Sequence, residues 1–522
     1  MTNAIALPML APLALLPVVL FALARPGKRP GSLPRWSEGA AFAAFALALA
    51  GLAQTALASP AAISLLNGPF TLALRADGVA ASLAALVGFI GWIVMRYSRT
   101  YLDGETREGA FHGLMLTTLA AVLVFVQAAT LPTLILATVA VGVTLRKLLL
   151  FYPDRPEARR AATKFTGVWH TGDVMLVIAA VLLYARFGTL DLTALPAIAA
   201  ASGLGIAGTL AIAAIVAAAA LKTATFPLHG WLTEVMEAPT PVSALLHAGI
   251  INSGGVLLIT AAGLVQQSSG AMAALVMIGG FTALFGAAVM LTQSAIKTAL
   301  AWSTISQMGF MLLQCGLGLW TLALLHIIAH SLYKAHAFLS SGGAVADVAS
   351  IRRPGPVAVP SIAAVLKSFA LALAIFAGIA SAFTFAFGPK SPQALALGAI
   401  LIFGVAYLVA QGLAGRAPAA LTTRTITAAL AAAIGYFSFQ TLAQTIWGPL
   451  LPAAPMPTAL EWALLVVAVA SFGLVAFAQA LFPLWAHHPA TSGLRVHLAN
   501  GLYLNALLDR AIGGFRTTDH AN

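Results

Sequence analysis

Leu221–Ile259 reads LKTATFPLHGWLTEVMEAPTPVSALLHAGIINSGGVLLI, and the fold turns on this stretch. It sits in the middle of a very apolar chain, yet it carries Lys222, His229, Glu234, Glu237, His247 and three prolines. The apolar run from Ile206 to Leu221 sets Lys222 deep in a helix. Pro227 then interrupts the backbone ladder, because proline has no N–H to donate and its ring clashes with the preceding turn. A short second half-helix is expected from His229 to about Glu237. Thr240-Pro241 has the pattern of a new helix start, with Thr240 as N-cap and Pro241 at the first helical position. At about 1.5 Å per residue, His247 falls about 10 Å into that helix. A helix broken beside a lysine, facing a helix with an internal histidine, is how membrane proteins build ion sites.

The rest of the chain agrees with a membrane setting. Of its 522 residues 60% are hydrophobic and only 8% charged, with a mean hydropathy of +0.95. A soluble domain carries about a quarter charged residues. Long apolar runs, rather than alternating ones, predict an all-α polytopic protein and exclude a barrel. A lone cysteine, Cys315, excludes a disulfide framework and protein-ligated iron–sulfur clusters. The net charge of +12 lies in loops between apolar runs. It therefore reads as topology in a lipid bilayer, and no nucleic-acid partner is expected.

About fifteen spans are expected. They fall near 5–24, 38–59, 78–96, 111–130, 132–150, 165–185, 203–237 (broken), 241–264, 271–293, 298–316, 320–343, 358–384, 393–414, 425–446 and 459–483. The first run lacks a basic region ahead of it, and Arg25, Lys28, Arg29 and Arg35 follow it. That order predicts a first span rather than a signal peptide, with the N-terminus outside and the C-terminus cytoplasmic. Alternation then puts Arg155, Arg159, Arg160, Arg352, Arg353, Arg416 and Arg424 inside. Three regions follow: N-terminal helices (1–110), a core (111–414), and C-terminal helices with a tail (415–522). The tail from Val496 to Phe515 is amphipathic, with Arg510 and Arg516, and is expected on the cytoplasmic surface or on a partner.

Lysine at mid-bilayer costs about 2.5–3.5 kcal/mol on insertion scales, and Lys222 and Lys334 both fall inside spans. The alternative is that their ammonium groups snorkel to an interface. His326, His330 and Lys334 recur every four residues, so they share one helix face. Such a stripe can be a hydrated proton path, a set of ordinary core histidines, or a haem or metal site. No carboxylate or cysteine accompanies it at ligand spacing. Imidazole titrates near pH 6.5 and a desolvated lysine can release its proton, so both residue types can exchange protons near neutrality. Asp173 is the one carboxylate well inside an early span, and Glu234 and Glu237 flank the broken helix, where they can equally be solvated loop acids.

Three ordered segments, KTATFPLHGWLTEVMEAPTPVSALLHAG, SAIKTALAWSTISQMGFM and HIIAHSLYKAHAFL, resemble the antiporter-like subunits of respiratory complex I and of Mrp sodium/proton antiporters. The resemblance covers about residues 75–345. It implies a core of two inverted five-helix repeats, each with a broken helix, around a polar mid-membrane axis. By motif, Lys222 matches the lysine of the first broken helix. His247, Lys297, His326, His330 and Lys334 match relay positions, and Asp173 matches an acid of the family. The sequence also departs from the pattern. The family's glutamate on the fifth span is Val139, an arginine ahead of Asp173 is His170, and no long lateral helix is expected at the C-terminus. Of the Gly-Phe-Phe-Ser-Lys signature at the second break only FGPKSP remains, with Lys390 at a similar spacing and Lys367 as a competitor. Lys222 must then either lose its proton, since desolvation alone can lower a lysine pKa by up to about 3–5 units, or recruit a replacement acid. Asp173 and Glu237 are the candidates, with Asp173 favoured because the family places its span close by.

HAGIINSGG in place of HAATMVTAG resembles a divergent branch, the membrane subunits (DabB) of bacterial inorganic carbon uptake complexes in the inner membrane. That branch implies a large cytoplasmic, carbonic-anhydrase-like partner (DabA) that holds zinc, with no cofactor or metal in this chain. The expectation is a non-enzymatic subunit that conducts protons or sodium and couples their flow to bicarbonate or CO2 uptake. Two alternatives stand beside it: a proton-translocating subunit of a complex I-type quinone oxidoreductase or Mrp antiporter, and a scaffold that has lost conduction, as Val139 suggests.

Overall fold

In hydrocarbon every backbone N–H and C=O must be satisfied within the protein, and apolar runs achieve this as helices. The computed structural model describes residues 2–511 except 4, 58, 67, 69, 343–360, 413–418, 486 and 487. Arg352, Arg353, Arg416 and Arg516 lie outside the described residues. In chain order the first half holds β1 (Thr2–Asn3), α1 (Leu7–Leu23), α2 (Leu33–Leu57), β2 (Ala61–Leu66), β3 (Leu72–Ala76), α3 (Gly78–Tyr101), α4 (Glu108–Val126), α5 (Leu131–Leu149), α6 (Pro156–Phe187) and α7 (Leu195–Ser202). The middle holds α8 (Gly205–Lys222), α9 (Gly230–Glu234), α10 (Thr240–Ala248), α11 (Ser253–Thr260), α12 (Ala262–Val265), α13 (Ser269–Met290), α14 (Ile296–Gly316) and α15 (Trp320–Leu339). The remainder is α16 (Ile362–Phe387), α17 (Pro392–Gly412), α18 (Ala419–Trp447), α19 (Ala459–Ala480), α20 (Phe482–Trp485), α21 (Pro489–Ala499) and α22 (Leu504–Ala511).

The chain is thus an all-α polytopic bundle, in which twelve helices among the described residues are long and apolar enough to cross a membrane. α1, α14 and α17 occupy three further positions where the sequence places spans. One small sheet was not foreseen. β2 pairs parallel with β1 and antiparallel with β3, with Ala61 opposite Ala76. Ala129 N donates to Ala73 O, and Leu131 N to Leu190 O. The sheet and these bonds tie three interhelical connections together at one end of the bundle. Asp77 then starts α3, its carboxylate accepting from the N–H groups of Val79 and Ala80 at 3.0 and 2.8 Å. A cap of this kind is worth about 1 kcal/mol.

The helix breaks position everything that follows. α8 stops at Lys222, and Ala224 takes a left-handed conformation (φ 50°). The half-helix resumes only over Gly230–Glu234, with a 3-10 turn at Val235–Glu237. The next helix starts at Thr240 itself, with Pro239 in the capping position and no side-chain cap, rather than after a Thr240 cap. It is also not continuous. α10 ends at Ala248, a 3-10 turn covers Ile250–Asn252, and α11 begins at Ser253. In the second half, α16 runs unbroken from Ile362 to Phe387. Lys390 follows the end of that helix and lies beside no break, and Lys367 is exposed near its start.

Candidate functional site

Lys222 and Lys334 are among the largest side chains with under 2% of their surface exposed. Each is the centre of a polar cluster.

At the first, Lys222 Nζ donates to Asp173 Oδ1 at 2.7 Å and to the Trp169 carbonyl at 3.3 Å, and lies 4.1 Å from the centre of the Trp169 ring. The acid comes from α6, not from α5, which carries Val139. The residue before that valine still takes part: Thr138 Oγ1 donates to Asp173 Oδ1 at 2.9 Å. His170 Nδ1 lies 2.7 Å from the other carboxylate oxygen. Trp169 is itself held by a bond from Nε1 to the Thr138 carbonyl. One carboxylate therefore faces an ammonium on one oxygen and an imidazole on the other. The second candidate acid, Glu237, pairs with Arg155 at 3.2 Å, with both side chains about half exposed.

The second cluster joins α10, α14 and α15. Lys334 Nζ donates to the Leu300 carbonyl at 3.0 Å and to Ser303 Oγ at 2.9 Å. The same carbonyl accepts the Thr304 hydroxyl at 3.0 Å. Thr304 Oγ1 thus has its proton engaged and accepts from His247 Nδ1 at 3.0 Å. In neutral His247 this leaves Nε2 as a buried lone pair, and that atom has no hydrogen-bond partner. The His247 ring stacks on Phe338 at 4.2 Å, and its carbonyl accepts from His330 Nε2 at 3.3 Å. His326 Nδ1 bonds Gln314 Oε1 at 2.9 Å, with its ring 6.0 Å from that of His330. His326 and His330 line a cleft of about 810 Å³ between α14–α15 and α17–α18. No carboxylate pairs with Lys334 among the described residues.

α11 joins the two clusters, because it crosses α8 at backbone distance. A Cβ on Gly254 would lie 2.3 Å from the Ala219 carbonyl, so only glycine fits. Beside it, Asn252 Nδ2 bonds Ser331 Oγ at 3.0 Å.

The other expected residues lie apart from the two clusters. Lys297 is in the first turn of α14, donating to Thr240 Oγ1 at 3.3 Å, and Thr240 in turn bonds the Tyr101 hydroxyl. Glu234 pairs with Lys164, which also meets Asp509. Lys390 donates to Thr441 Oγ1 at 3.3 Å in the α16–α17 connection, where burial lowers its pKa. Among the described residues no three of His, Cys, Asp and Glu converge as metal ligands. Thr138, Thr304, Gln314 and Lys164 were not anticipated. Thr304 lies inside the SAIKTALAWSTISQMGFM segment, whereas Lys164 and Asp509, 345 positions apart in the chain, carry no local signal.

The family described as NADH:quinone oxidoreductase/Mrp antiporter, TM, matches residues 128–379. Over 488 residues the chain is 37% identical to the probable inorganic carbon transporter subunit DabB2 of Halothiobacillus neapolitanus, covering 90% of this chain and 86% of that one. It is 33% identical over 282 residues to NADH-quinone oxidoreductase subunit L of Escherichia coli, covering 53% of this chain and 46% of that one. Among solved structures, a chain of the Mrp complex from Dietzia sp. DQ12-45-1b superposes with a TM-score of 0.63 at 22% identity, covering 97% of this chain and 60% of that one. That likeness is one of fold.

Proposed function

The chain belongs to the DabB family of inorganic carbon transporter subunits, and from that premise we propose that it conducts protons or sodium and couples their flow to a cytoplasmic partner. It is a multi-pass membrane subunit of an inorganic carbon uptake complex and not itself an enzyme. The observation that carries the conduction reading is the Lys222–Asp173 pair, sealed from solvent where a helix breaks and with His170 on the second carboxylate oxygen. If Lys222 gives up its proton, Asp173 loses one counter-charge, and a protonated His170 can supply another. Charge can therefore pass around one carboxylate without leaving it unpaired, which is what a buried anion requires. Lys334 and His247 offer a second station, since a proton arriving at the free Nε2 of His247 meets no competing hydrogen bond. The cleft beside His326 and His330 supplies room for an exit path.

The charge pattern supports an inner-membrane subunit whose N-terminus is outside and whose basic loops face the cytoplasm. The partner in this reading is the carbonic-anhydrase-like subunit (DabA), which holds the zinc and handles CO2 or bicarbonate. Expression in a carbonic-anhydrase-deficient bacterium tests it. Growth in air should require this chain together with the gene for that partner, and should stop when an uncoupler removes the gradient. Growth restored by this chain alone would remove the two-component reading.

A further inference from the structure

The last described helix, α22, packs against the broken helix, and the layers beneath it lead to Lys222. α22 places Asp509 and Asn505 on Lys164, whose side chain is fully buried in α6. Asn505 accepts from Lys164 at 2.7 Å and donates to Glu234 of the half-helix. Gly230 lies directly under this contact: a Cβ there would sit 2.2 Å from Asn505 Oδ1. Behind the charges, Phe165, Trp169 and Trp231 form a buried aromatic plug. The centres of the Phe165 and Trp169 rings are 5.3 Å apart, those of Phe165 and Trp231 5.4 Å. Phe165, Trp169 and Asp173 are spaced by four residues, so plug and acid follow one face of α6. From Lys164 to Asp173 the helix rises about 13 Å. Plug and ion pair thus share one face of α6, while Lys164 leaves the helix on the opposite side and meets the plug through Glu234 and Trp231 of the half-helix.

We propose that α22 is a strap that closes an access route to Lys222, with Asn505 and Asp509 as positioning residues that hold the half-helix and keep its Trp231 in the plug. Trp231 and Leu232 pack the half-helix into the core, and its charged side chain, Glu234, is held by Lys164 and Asn505. The half-helix is five residues long and flanked by non-helical backbone on one side and a 3-10 turn on the other. It also carries buried polar atoms that find no hydrogen-bond partner: Trp231 Nε1, His229 Nδ1 and Glu234 Oε2. A buried donor or acceptor without a partner favours any arrangement that supplies one, and in this proposal the strap restrains that rearrangement. Among the described residues the strap follows α19, the last long apolar helix, with α20 and α21 between them.

The gate matters to transport only if Lys222 relays charge, and its test is read without transport. Thr223→Cys beside Lys222 serves as reporter in a Cys315→Ser background, with the full chain in its complex in membrane vesicles. Methanethiosulfonate ethyltrimethylammonium, whose permanent charge keeps it from crossing the bilayer, is added from the side that bears Arg155. Labelling should be slow with the strap intact, and at least tenfold faster in Asn505→Ala/Asp509→Ala and in Trp231→Ala. Rates are taken per folded protein, with Leu507→Ala on the exposed side of α22 as a control that should not change them. Fast labelling with the strap intact would overturn the gate. Acceleration by Trp231→Ala but not by the strap variant would overturn the role of the strap. If labelling follows the strap while Lys222→Met still transports, the gate stands and the relay reading fails.

Discussion

Replacing Asp173 by asparagine keeps the shape of the side chain and removes its charge, which isolates what the carboxylate does for Lys222. At 2.7 Å and an effective dielectric of about 20, the gross attraction is about 6 kcal/mol, much of it offset by taking both ions out of water. Removing one partner of a buried pair leaves the other uncompensated and costs about 3–5 kcal/mol. That corresponds to a fall of roughly 150- to 5000-fold in the folded-to-unfolded ratio. Thr138 and His170 cannot make up the difference, since neither places a carboxylate beside the ammonium. In Asp173→Asn/Lys222→Gln no charge is stranded, so the double variant should recover about 2 kcal/mol or more of that loss. Heating the detergent-solubilised protein in steps and measuring the monodisperse fraction by gel filtration orders the three proteins. A single Asp173→Asn variant as heat-resistant as the unmodified protein would refute the pairing, because Lys222 would then need no counter-charge.

Other outcomes follow from the same geometry. His326→Ala and His330→Ala should each lower carbon-dependent growth at least tenfold in rate with unchanged protein in the membrane; full activity in both would return the stripe to ordinary core packing. Gly254→Val should lower the yield of folded protein, because overpacking costs about 1–3 kcal/mol and the clash is with backbone that cannot turn aside; normal yield would show that α8 and α11 can separate. Arg155→Ala, which removes an exposed pair with Glu237, should change stability by no more than about 1 kcal/mol and leave uptake intact.

The parts of this fold that depend on composition and on proline were legible in the sequence. Apolar length located the helices, and Pro227 located the break beside Lys222. The break at Gly249 was not legible, since glycine in an apolar run marks equally well a close helix crossing, and here Gly254 makes one two residues after the break ends at Asn252. The choice of Asp173 over Glu237 came from a family resemblance; the structure brings Asp173 to Lys222 and leaves Glu237 on an arginine. The contacts of Lys334 could not be read, because one of them is the Leu300 carbonyl, and backbone acceptors have no sequence signature. At Lys390, FGPKSP keeps the residue types of a broken helix, but α16 ends at Phe387, ahead of the lysine. The strap contact between Asp509 and Lys164 needs the whole topology before the two residues can meet.

The relay role of Lys222 is tested most directly by measuring gradient-driven inorganic carbon uptake in Lys222→Arg and Lys222→Met, normalised to folded protein in the membrane. Methionine keeps the packing and carries no proton. Arginine keeps the charge opposite Asp173, but its guanidinium does not release a proton at accessible pH. A relay requires release, so both variants should fail, with Lys222→Arg at least as stable as Lys222→Met because its charge remains paired. Full uptake in Lys222→Arg would contradict the relay and leave Lys222 and Asp173 as a fixed ion pair.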